Sequence, residues 1–240
     1  MATLKMISRL AGLAAATLFA TTAHALPVNL NLVSNGSFEE GNSLFASGYV
    51  YAPDSNTAEG QYTVRNDPAG WNPYFISTGD HTSGTGQMMV VNGSPDLGAV
   101  VWSSQPIQLT KNTDYFFEAF VKNVCCIDSY TGSNSASSLK FSLKLSDGTV
   151  VSLGTITTNL DKPPTWQGLS TQYYSSGFDG SVVLSLINQN TIRAGNDFAI
   201  DDIYFGTQST IPPTTVPEPL TLSLLAIGLL GIGFSRRKKA

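Results

Sequence analysis

Short runs of alternating apolar and polar residues recur through the middle of the chain and predict β-strands. Between residues 26 and 216 no helical period is sustained, whereas runs with a period of two return roughly every eight to twelve residues between Gly, Asn, Asp and Ser clusters. This spacing is typical of an all-β sandwich or barrel. The predicted strands are Gln87–Asn92, Ala99–Ser103, Asp114–Val124, Ser138–Leu145, Thr149–Leu153, Trp166–Ser175, Ser181–Asn188 and Asp197–Phe205.

The segment Leu139–Leu145 shows the alternation most clearly, with apolar residues at odd positions and polar residues at even ones. One face of this strand should therefore be buried and the other hydrated. Asp147-Gly148 follows directly and predicts a hairpin turn. The segment Gly41–Asn66 is rich in small and polar residues, so we expect a long loop there.

The strand Asp114–Val124 is less regular because aromatic residues occupy both of its faces. One face carries Tyr115, Phe117, Ala119 and Val121, and the other carries Phe116, Glu118, Phe120 and Lys122. Aromatic rings interleaved with charges favour a solvent-lined surface that stacks a flat ligand. The alternative is that a neighbouring loop covers Phe116 and Phe120.

Both ends of the chain have the pattern of export signals. Lys5 and Arg9 precede an apolar stretch, Leu10–Ala20, that is too short to span a membrane, and an A-x-A cleavage site ends at Ala25. At the other end Pro217, Glu218 and Pro219 introduce an apolar run from Leu220 and a basic cluster, Arg236–Lys239.

The C-terminal apolar run suits a short stay in a membrane better than permanent anchoring. The 16 residues from Leu220 to Ser235 would form a helix of roughly 24 Å, against a hydrocarbon core of about 30 Å. The order of motif, helix and basic end resembles the PEP-CTERM sorting signal of Gram-negative bacteria. That resemblance implies that an exosortase removes the tail and passes the protein to the cell surface or extracellular matrix. An ordinary C-terminal anchor is the alternative.

These signals divide the chain into four parts. We expect a signal peptide at 1–25, a β-sandwich domain at 26–206, an extended linker at 207–216 and the sorting signal at 217–240.

The whole chain has 13 Lys and Arg and 17 Asp and Glu; removing both signals leaves 7 basic and 16 acidic residues, a net charge near −9. This balance argues against nucleic acid and anionic membranes as partners.

Histidine and cysteine usage narrows the chemistry further. His24 leaves with the signal peptide, so His81 is the single histidine of the mature protein, and most zinc sites are excluded. Cys125 and Cys126 are adjacent and cannot join distant segments. A vicinal disulfide, two free thiols and bridges to another chain are all open, and a disulfide persists in secreted proteins.

The two ends of the mature domain carry motifs of a known fold family. Asn35-Gly36-Ser37-Phe38-Glu39 near the start and Phe198-Ala199-Ile200-Asp201-Asp202-Ile203 near the end resemble the terminal strands of galactose-binding-like jelly rolls, including carbohydrate-binding module families four and nine. The Gly-rich loop at Asp80 is similar to a calcium loop of such domains. The resemblance implies an antiparallel jelly-roll sandwich and a structural Ca²⁺ held by the Ser37 backbone, Glu39, Asp80 and Asp201. Alternatively, Glu39 and Asp201 merely end strands at the surface.

Two functions fit this domain. The first is a secreted, non-catalytic protein that binds carbohydrate, such as the cell's own exopolysaccharide in a biofilm matrix, and the expected sugar-facing aromatics are Trp71, Tyr74, Phe116 and Phe120. The second is a matrix or adhesion protein without sugar specificity. A small secreted hydrolase is a remote third, since His81 lies beside Asp80 and hydroxyl residues but no carboxyl pair stands out.

Overall fold

Two six-stranded β-sheets stack face to face around a shared hydrophobic core. The computed structural model describes residues 30–132, 134–175 and 177–211. The strands are β1 Phe45–Ala46, β2 Val50–Tyr51, β3 Gln61–Arg65, β4 Met88–Asn92, β5 Val100–Ser104, β6 Ile107–Leu109, β7 Asp114–Asn123, β8 Ser138–Leu145, β9 Val150–Thr157, β10 Gln167–Tyr174, β11 Gly180–Asn188 and β12 Asp197–Gly206.

The first sheet has the order β1-β5-β11-β8-β9, with β6 also paired to β11, and the second has the order β10-β7-β12-β4-β3-β2. Neighbours in the described chain pair antiparallel except β2 and β3, which run parallel. From β4 onwards the chain repeatedly crosses between the sheets, as in a jelly roll, whereas β2–β3, β3–β4 and β8–β9 are paired sequence neighbours. The predicted all-β sandwich is confirmed.

All eight predicted strands form, with ends that shift by a few residues. The alternation in β8 places Leu139, Phe141 and Leu143 in the core, as expected. Asp147-Gly148 makes the predicted turn: Gly148 has φ +91° and donates its N–H to the Leu145 carbonyl at 2.9 Å. Glycine is needed there because other residues rarely adopt positive φ.

The prediction of one long loop at Gly41–Asn66 was wrong, because β1, β2 and β3 lie within it. Two of these strands have only two residues each, too few for a sequence period to show. The three-residue strand Ile107–Leu109 was missed for the same reason.

The outward face of β7 is covered by other parts of the chain. The prediction of a solvent-lined surface that stacks a ligand was therefore wrong, and the alternative of a covered face holds. Glu118 is fully buried and Lys122 is 6% exposed. Phe120 lies under the His81 ring, with ring centroids 3.6 Å apart, and the Lys122 ammonium sits 4.6 Å from the Trp166 ring centroid. Distant segments thus fold over this face.

The start of the expected linker, 207–216, also packs on β7. The backbone N–H groups of Thr210 and Ile211 and the hydroxyls of Ser209 and Thr210 donate to the Glu118 carboxylate. The segment Ser209–Ile211, called the strap below, therefore belongs to the folded domain.

A second, smaller core covers the outer face of the second sheet. Trp71 and Phe75, from the segment after the 3₁₀ turn Pro68–Gly70, pack on Met88, Val90 and Ala199. This segment covers the middle of the sheet face and leaves a pocket where it ends.

None of the described residues forms a helix long and apolar enough to cross a bilayer. The predicted signal peptide and cleavage site at Ala25, the motif Pro217-Glu218-Pro219 and the apolar run from Leu220 lie outside the described residues.

Candidate functional site

A pocket of about 220 Å³ opens at one end of the second sheet. Its inner end is formed by side chains that are almost fully buried, and its rim by exposed or half-buried ones. The lining residues are Glu59, Asn72, Tyr74, Phe75, Asn92, Cys125, Cys126, Tyr130, Arg193, Ala194, Gly195 and Asp197.

Backbone pairing between the segments 74–76 and 124–127 positions the rim of this pocket. Phe75 forms an antiparallel bridge with Cys125, the Ile76 N–H donates to the Val124 carbonyl at 2.8 Å, and the Ile127 N–H donates to the Tyr74 carbonyl at 3.0 Å. Since Phe75 points into the small core, its neighbour Tyr74 points outward, as alternation in an extended segment requires.

Two tyrosines stand together at the mouth of the pocket. The rings of Tyr74 and Tyr130 have centroids 5.4 Å apart with planes at 58°, and Tyr74 is 53% exposed. The Tyr130 N–H donates to the Ile127 carbonyl at 3.0 Å, so a turn after the cysteine pair carries this ring back towards Tyr74. The pair is an apolar surface with hydroxyl groups at its edge.

The floor of the pocket contains the cysteine pair. A disulfide joins Cys125 and Cys126, which are 4% and 3% exposed. The sulfurs and a carboxylate oxygen of Asp197 all lie within 4.8 Å of one another. The floor therefore combines a polarisable apolar surface with one acceptor group.

Asp197 is the buried charge of this pocket. Burial raises the pKa of Asp197 to about 7. The Gly93 N–H, which donates to its carboxylate at 3.1 Å, lowers the pKa, and the nearby Glu59 raises it further. Glu59 itself pairs with Arg193 across the rim at 2.7 Å. The pocket thus holds a carboxyl that changes charge near neutral pH and an ion pair within reach of solvent.

Of the four predicted sugar-facing aromatics, Tyr74 alone lines this pocket. Trp71 was expected on the surface, but it is 2% exposed and donates its Nε1–H to the Ala52 carbonyl at 2.7 Å, so that placement was wrong. Phe116 and Phe120 are half-buried on the covered face of β7. Tyr130 was missed because its ring reaches Tyr74 only through the pairing of distant loops.

The predicted calcium residues lie in the N-terminal segment (Ser37 and Glu39), in the loop after Gly79 (Asp80) and in the middle of β12 (Asp201). Ser37, Glu39 and Asp202 line a second cavity of about 320 Å³. The Asp201 carboxylate accepts the His81 N–H and the Asp202 N–H, each at 2.8 Å. Glu39 accepts the Gln87 N–H at 2.9 Å, which ties the N-terminal segment to the same loop.

Asp80 organises this loop from inside. Its carboxylate accepts the N–H groups of Ser83 and Gly86, each at 2.8 Å, and the Ser83 hydroxyl. Burial raises the pKa of Asp80, but these hydrogen bonds outweigh burial and the net shift is downward. For Asp201, burial and then the nearby Asp202 raise the pKa to about 8. This region has more negative charge than its donors neutralise.

His81 makes a close pair with Asp202, with Nδ1 2.7 Å from the carboxylate. The hydroxyls next to it in sequence are engaged elsewhere: Thr82 donates to Asp202 and Ser83 donates to Asp80. His81 therefore fastens the loop to β12 at Asp202, and these hydroxyls are not positioned as a nucleophile with it.

Comparison with known proteins identifies the C-terminal segment. Residues 215–238 match the sequence profile of the PEP-CTERM protein-sorting motif. No curated protein sequence matches the chain.

Several solved structures are similar to this chain at low identity. An enzymatically active domain of bacteriophage CBA120 tailspike protein 4 matches with 17% identity and a TM-score of 0.45, over 74% of this chain and 21% of that one. The family 22 carbohydrate-binding and catalytic modules of a Clostridium thermocellum xylanase, complexed with xylohexaose, match with 15% identity and a TM-score of 0.43, over 72% of this chain and 28% of that one. A family 61 carbohydrate-binding module in complex with β-1,4-galactotriose matches with 14% identity and a TM-score of 0.44, over 75% and 99%.

Proposed function

We propose that this protein is exported, sorted to the cell surface or extracellular matrix, and binds carbohydrate there without catalysing a reaction. The observation that carries the binding proposal is the Tyr74–Tyr130 pair at the mouth of a pocket with a polar rim. The sorting-motif match supports the route of export, with an exosortase-type enzyme as the processing partner.

The pocket offers the contacts that a sugar needs. Aromatic faces stack on the C–H faces of sugar rings, and a few placed polar groups orient the hydroxyls. Here the amides of Asn72 and Asn92, the Asp197 carboxyl and the Glu59–Arg193 pair surround the tyrosines. The acidic mature chain disfavours nucleic acid as the occupant.

Affinity electrophoresis in gels loaded with different polysaccharides tests this proposal. At least one polymer, the host's exopolysaccharide among them, should retard residues 26–216. Tyr74→Ala should weaken the retardation by several-fold to about tenfold, since one aromatic contact contributes about 0.5–1.5 kcal/mol. Tyr174→Ala is the matched control, because Tyr174 is 51% exposed on β10 and outside the pocket.

If no polymer retards the wild-type domain, the matrix or adhesion protein without sugar specificity becomes the better account. Equal migration of Tyr74→Ala and wild type on a retarding polymer would move the site away from this pocket.

We also propose a structural Ca²⁺ held by the Ser37 backbone, Glu39, Asp80 and Asp201. The donor set supports this proposal, because hard oxygen ligands suit Ca²⁺. So does the raised pKa of Asp201, which reflects a buried carboxylate beside other acids. Among the described residues the only set of three or more acid, His or Cys groups that converges within 4.8 Å is at the other pocket, so backbone carbonyls and water would complete this set.

Thermal unfolding with and without calcium tests the metal proposal. A ligand at 100 times its dissociation constant stabilises the folded state by about 2.7 kcal/mol, which raises the melting temperature of a domain this size by several degrees. Asp201→Ala should remove most of the shift, whereas Asp179→Ala, at an exposed position, should retain it. A melting curve of metal-verified wild type that EDTA leaves unchanged would refute the calcium site.

A further inference from the structure

The shape of the Tyr74–Tyr130 pocket restricts what it can hold. Its volume of about 220 Å³ is below the roughly 300–1,000 Å³ of pockets that take drug-sized ligands. This space is on the scale of one sugar ring, whereas a segment of polysaccharide would need a groove several rings long.

The inner end of the pocket is closed by packed side chains. Phe75 is 2% exposed, Cys125 4%, Cys126 3% and Asp197 6%. A polymer held along its middle must leave a site at two ends. Because these residues close the inner end, no chain passes through it, and a ring must enter from the rim.

The side wall is also fixed in place. Gly195 has φ +79°, and a Cβ at that position would lie 2.4 Å from the Asn134 side chain and 2.5 Å from the Ser135 nitrogen, so the 193–195 loop packs directly on the 134–135 segment. The Glu59–Arg193 ion pair, at 2.7 Å, joins this loop to the one before β3. The packing at Gly195 therefore fixes the position of this side wall.

The closed floor has two kinds of surface. The disulfide offers sulfur atoms that make apolar, polarisable contacts with C–H groups. The Asp197 carboxylate, within 4.8 Å of both sulfurs, is an acceptor for hydroxyls at the edge of the same ring. A saturated ring with C–H groups on its face and hydroxyls on its edge matches both.

We infer that this pocket binds the terminal pyranose of a glycan chain, with the ring resting on the Cys125–Cys126 disulfide and the rest of the chain leaving past Tyr74 and Tyr130. This inference rests on the proposed function and gives it a ligand class: neutral chain ends instead of internal polysaccharide segments. Neither the sequence motifs nor the fold assigns the disulfide to ligand binding.

A chain-length series tests the inference. The probes are size-fractionated partial hydrolysates, from monosaccharide to hexasaccharide, of each polymer used in the gels, titrated calorimetrically against residues 26–216. An end-binding pocket gives a dissociation constant per chain that changes by less than about threefold beyond the disaccharide, because added rings lie outside it. A cleft that holds internal segments gives affinity that rises with each ring, and that result overturns the inference while leaving sugar binding intact.

The disulfide floor has its own test. Cys125→Ser/Cys126→Ser keeps the side chains nearly the same size and removes the sulfur surface, so affinity for the shortest bound probe should fall about tenfold or more. Ser103→Ala, a substitution on β5 in the other sheet, is the control for an unrelated hydroxyl-sized change. Unchanged affinity in a double variant with a native circular dichroism spectrum refutes the role of the disulfide.

If the double variant fails to fold, the affinity of Asp197→Asn is compared with that of oxidised wild-type protein instead. Asn preserves the shape of the floor and changes its charge and acceptor capacity. A fall in affinity with Asp197→Asn supports a ligand on the floor, and no change overturns it. Binding of no polymer and of no hydrolysate defeats the proposed function and the inference together, which separates that failure from the loss of end specificity alone.

Discussion

At the scale of single residues, Asp197 connects the candidate pocket to the stability of the fold. It is 6% exposed at the start of β12, and its carboxylate accepts a hydrogen bond from the Gly93 N–H. Burial and Glu59 raise its pKa to about 7 despite that hydrogen bond. Keeping this carboxyl ionised in the folded state therefore costs stability.

This cost gives a pH dependence with a defined sign. The folded-state pKa of Asp197, about 7, lies above its unfolded value of 3.8, so the folded state binds the extra proton between these values. Stability from this group is present below pH 4 and is lost as pH rises towards 7, by up to about 1.4 kcal/mol per unit.

Asp197→Asn should therefore flatten the curve of unfolding free energy against pH between about 4 and 7, as urea unfolding would measure. Asp179→Asn, at an exposed position, should leave the curve unchanged. Parallel curves for wild type and Asp197→Asn would contradict the raised pKa.

The site could be predicted only in part from single residues. Trp71 and Tyr74 lie in one short segment and are equally plausible as surface aromatics by sequence. The exposure of their side chains differs because Trp71 packs on Met88 and Val90, whereas Tyr74 extends past Phe75 towards the cysteine loop. That distinction depends on pairing with residues about fifty positions away, which no local pattern records.

At the scale of elements, β7 shows where alternation is informative and where it is not. The odd positions, from Tyr115 to Val121, enter the core as predicted. The even positions depend on what folds over them, and the covering groups come from the His81 loop, the Trp166 segment and the strap. A strand's own sequence carries no signal for such distant partners.

The strap should contribute measurably to stability, because its donors satisfy the fully buried Glu118 carboxylate. Hydrogen bonds to charged groups contribute about 1.5–3 kcal/mol each. Ser209→Ala/Thr210→Val should lower the free energy of unfolding by about 2–4 kcal/mol in a denaturant titration. Thr207→Val, at an exposed position just before the strap, is the control and should change it little. Equal stability of all three proteins would show that the strap is not docked in solution.

At the scale of the whole molecule, the folded domain and the sorting signal are separate parts of the sequence. Eight of the twelve described strands and the sandwich follow from period-two patterns, whereas β1, β2 and β6, of two or three residues, and β3, of five, do not. The strap ends at Ile211, and six residue steps of roughly 3.4 Å from there to Pro217 reach at most about 20 Å. The proposed processing would therefore take place close to the domain.

Processing of the tail has a direct readout. Protein recovered from the surface of the native host should lack the segment after about Pro219, and replacing Pro217, Glu218 and Pro219 with alanine should leave the tail attached. Intact mass spectrometry separates the two forms. Surface material that retains Arg236–Ala240 would contradict sorting by removal of the tail.

Sugar binding at the tyrosine pocket is the central claim, and a glycan array tests it most directly. Residues 26–216 would be applied as wild type, as Tyr74→Ala/Tyr130→Ala and as the Tyr174→Ala control, with and without calcium. We expect wild type and the control to bind the same small set of glycans that share a terminal sugar, and the double variant to bind none of them. Wild-type binding to no glycan, or undiminished binding by a folded double variant, would contradict the account.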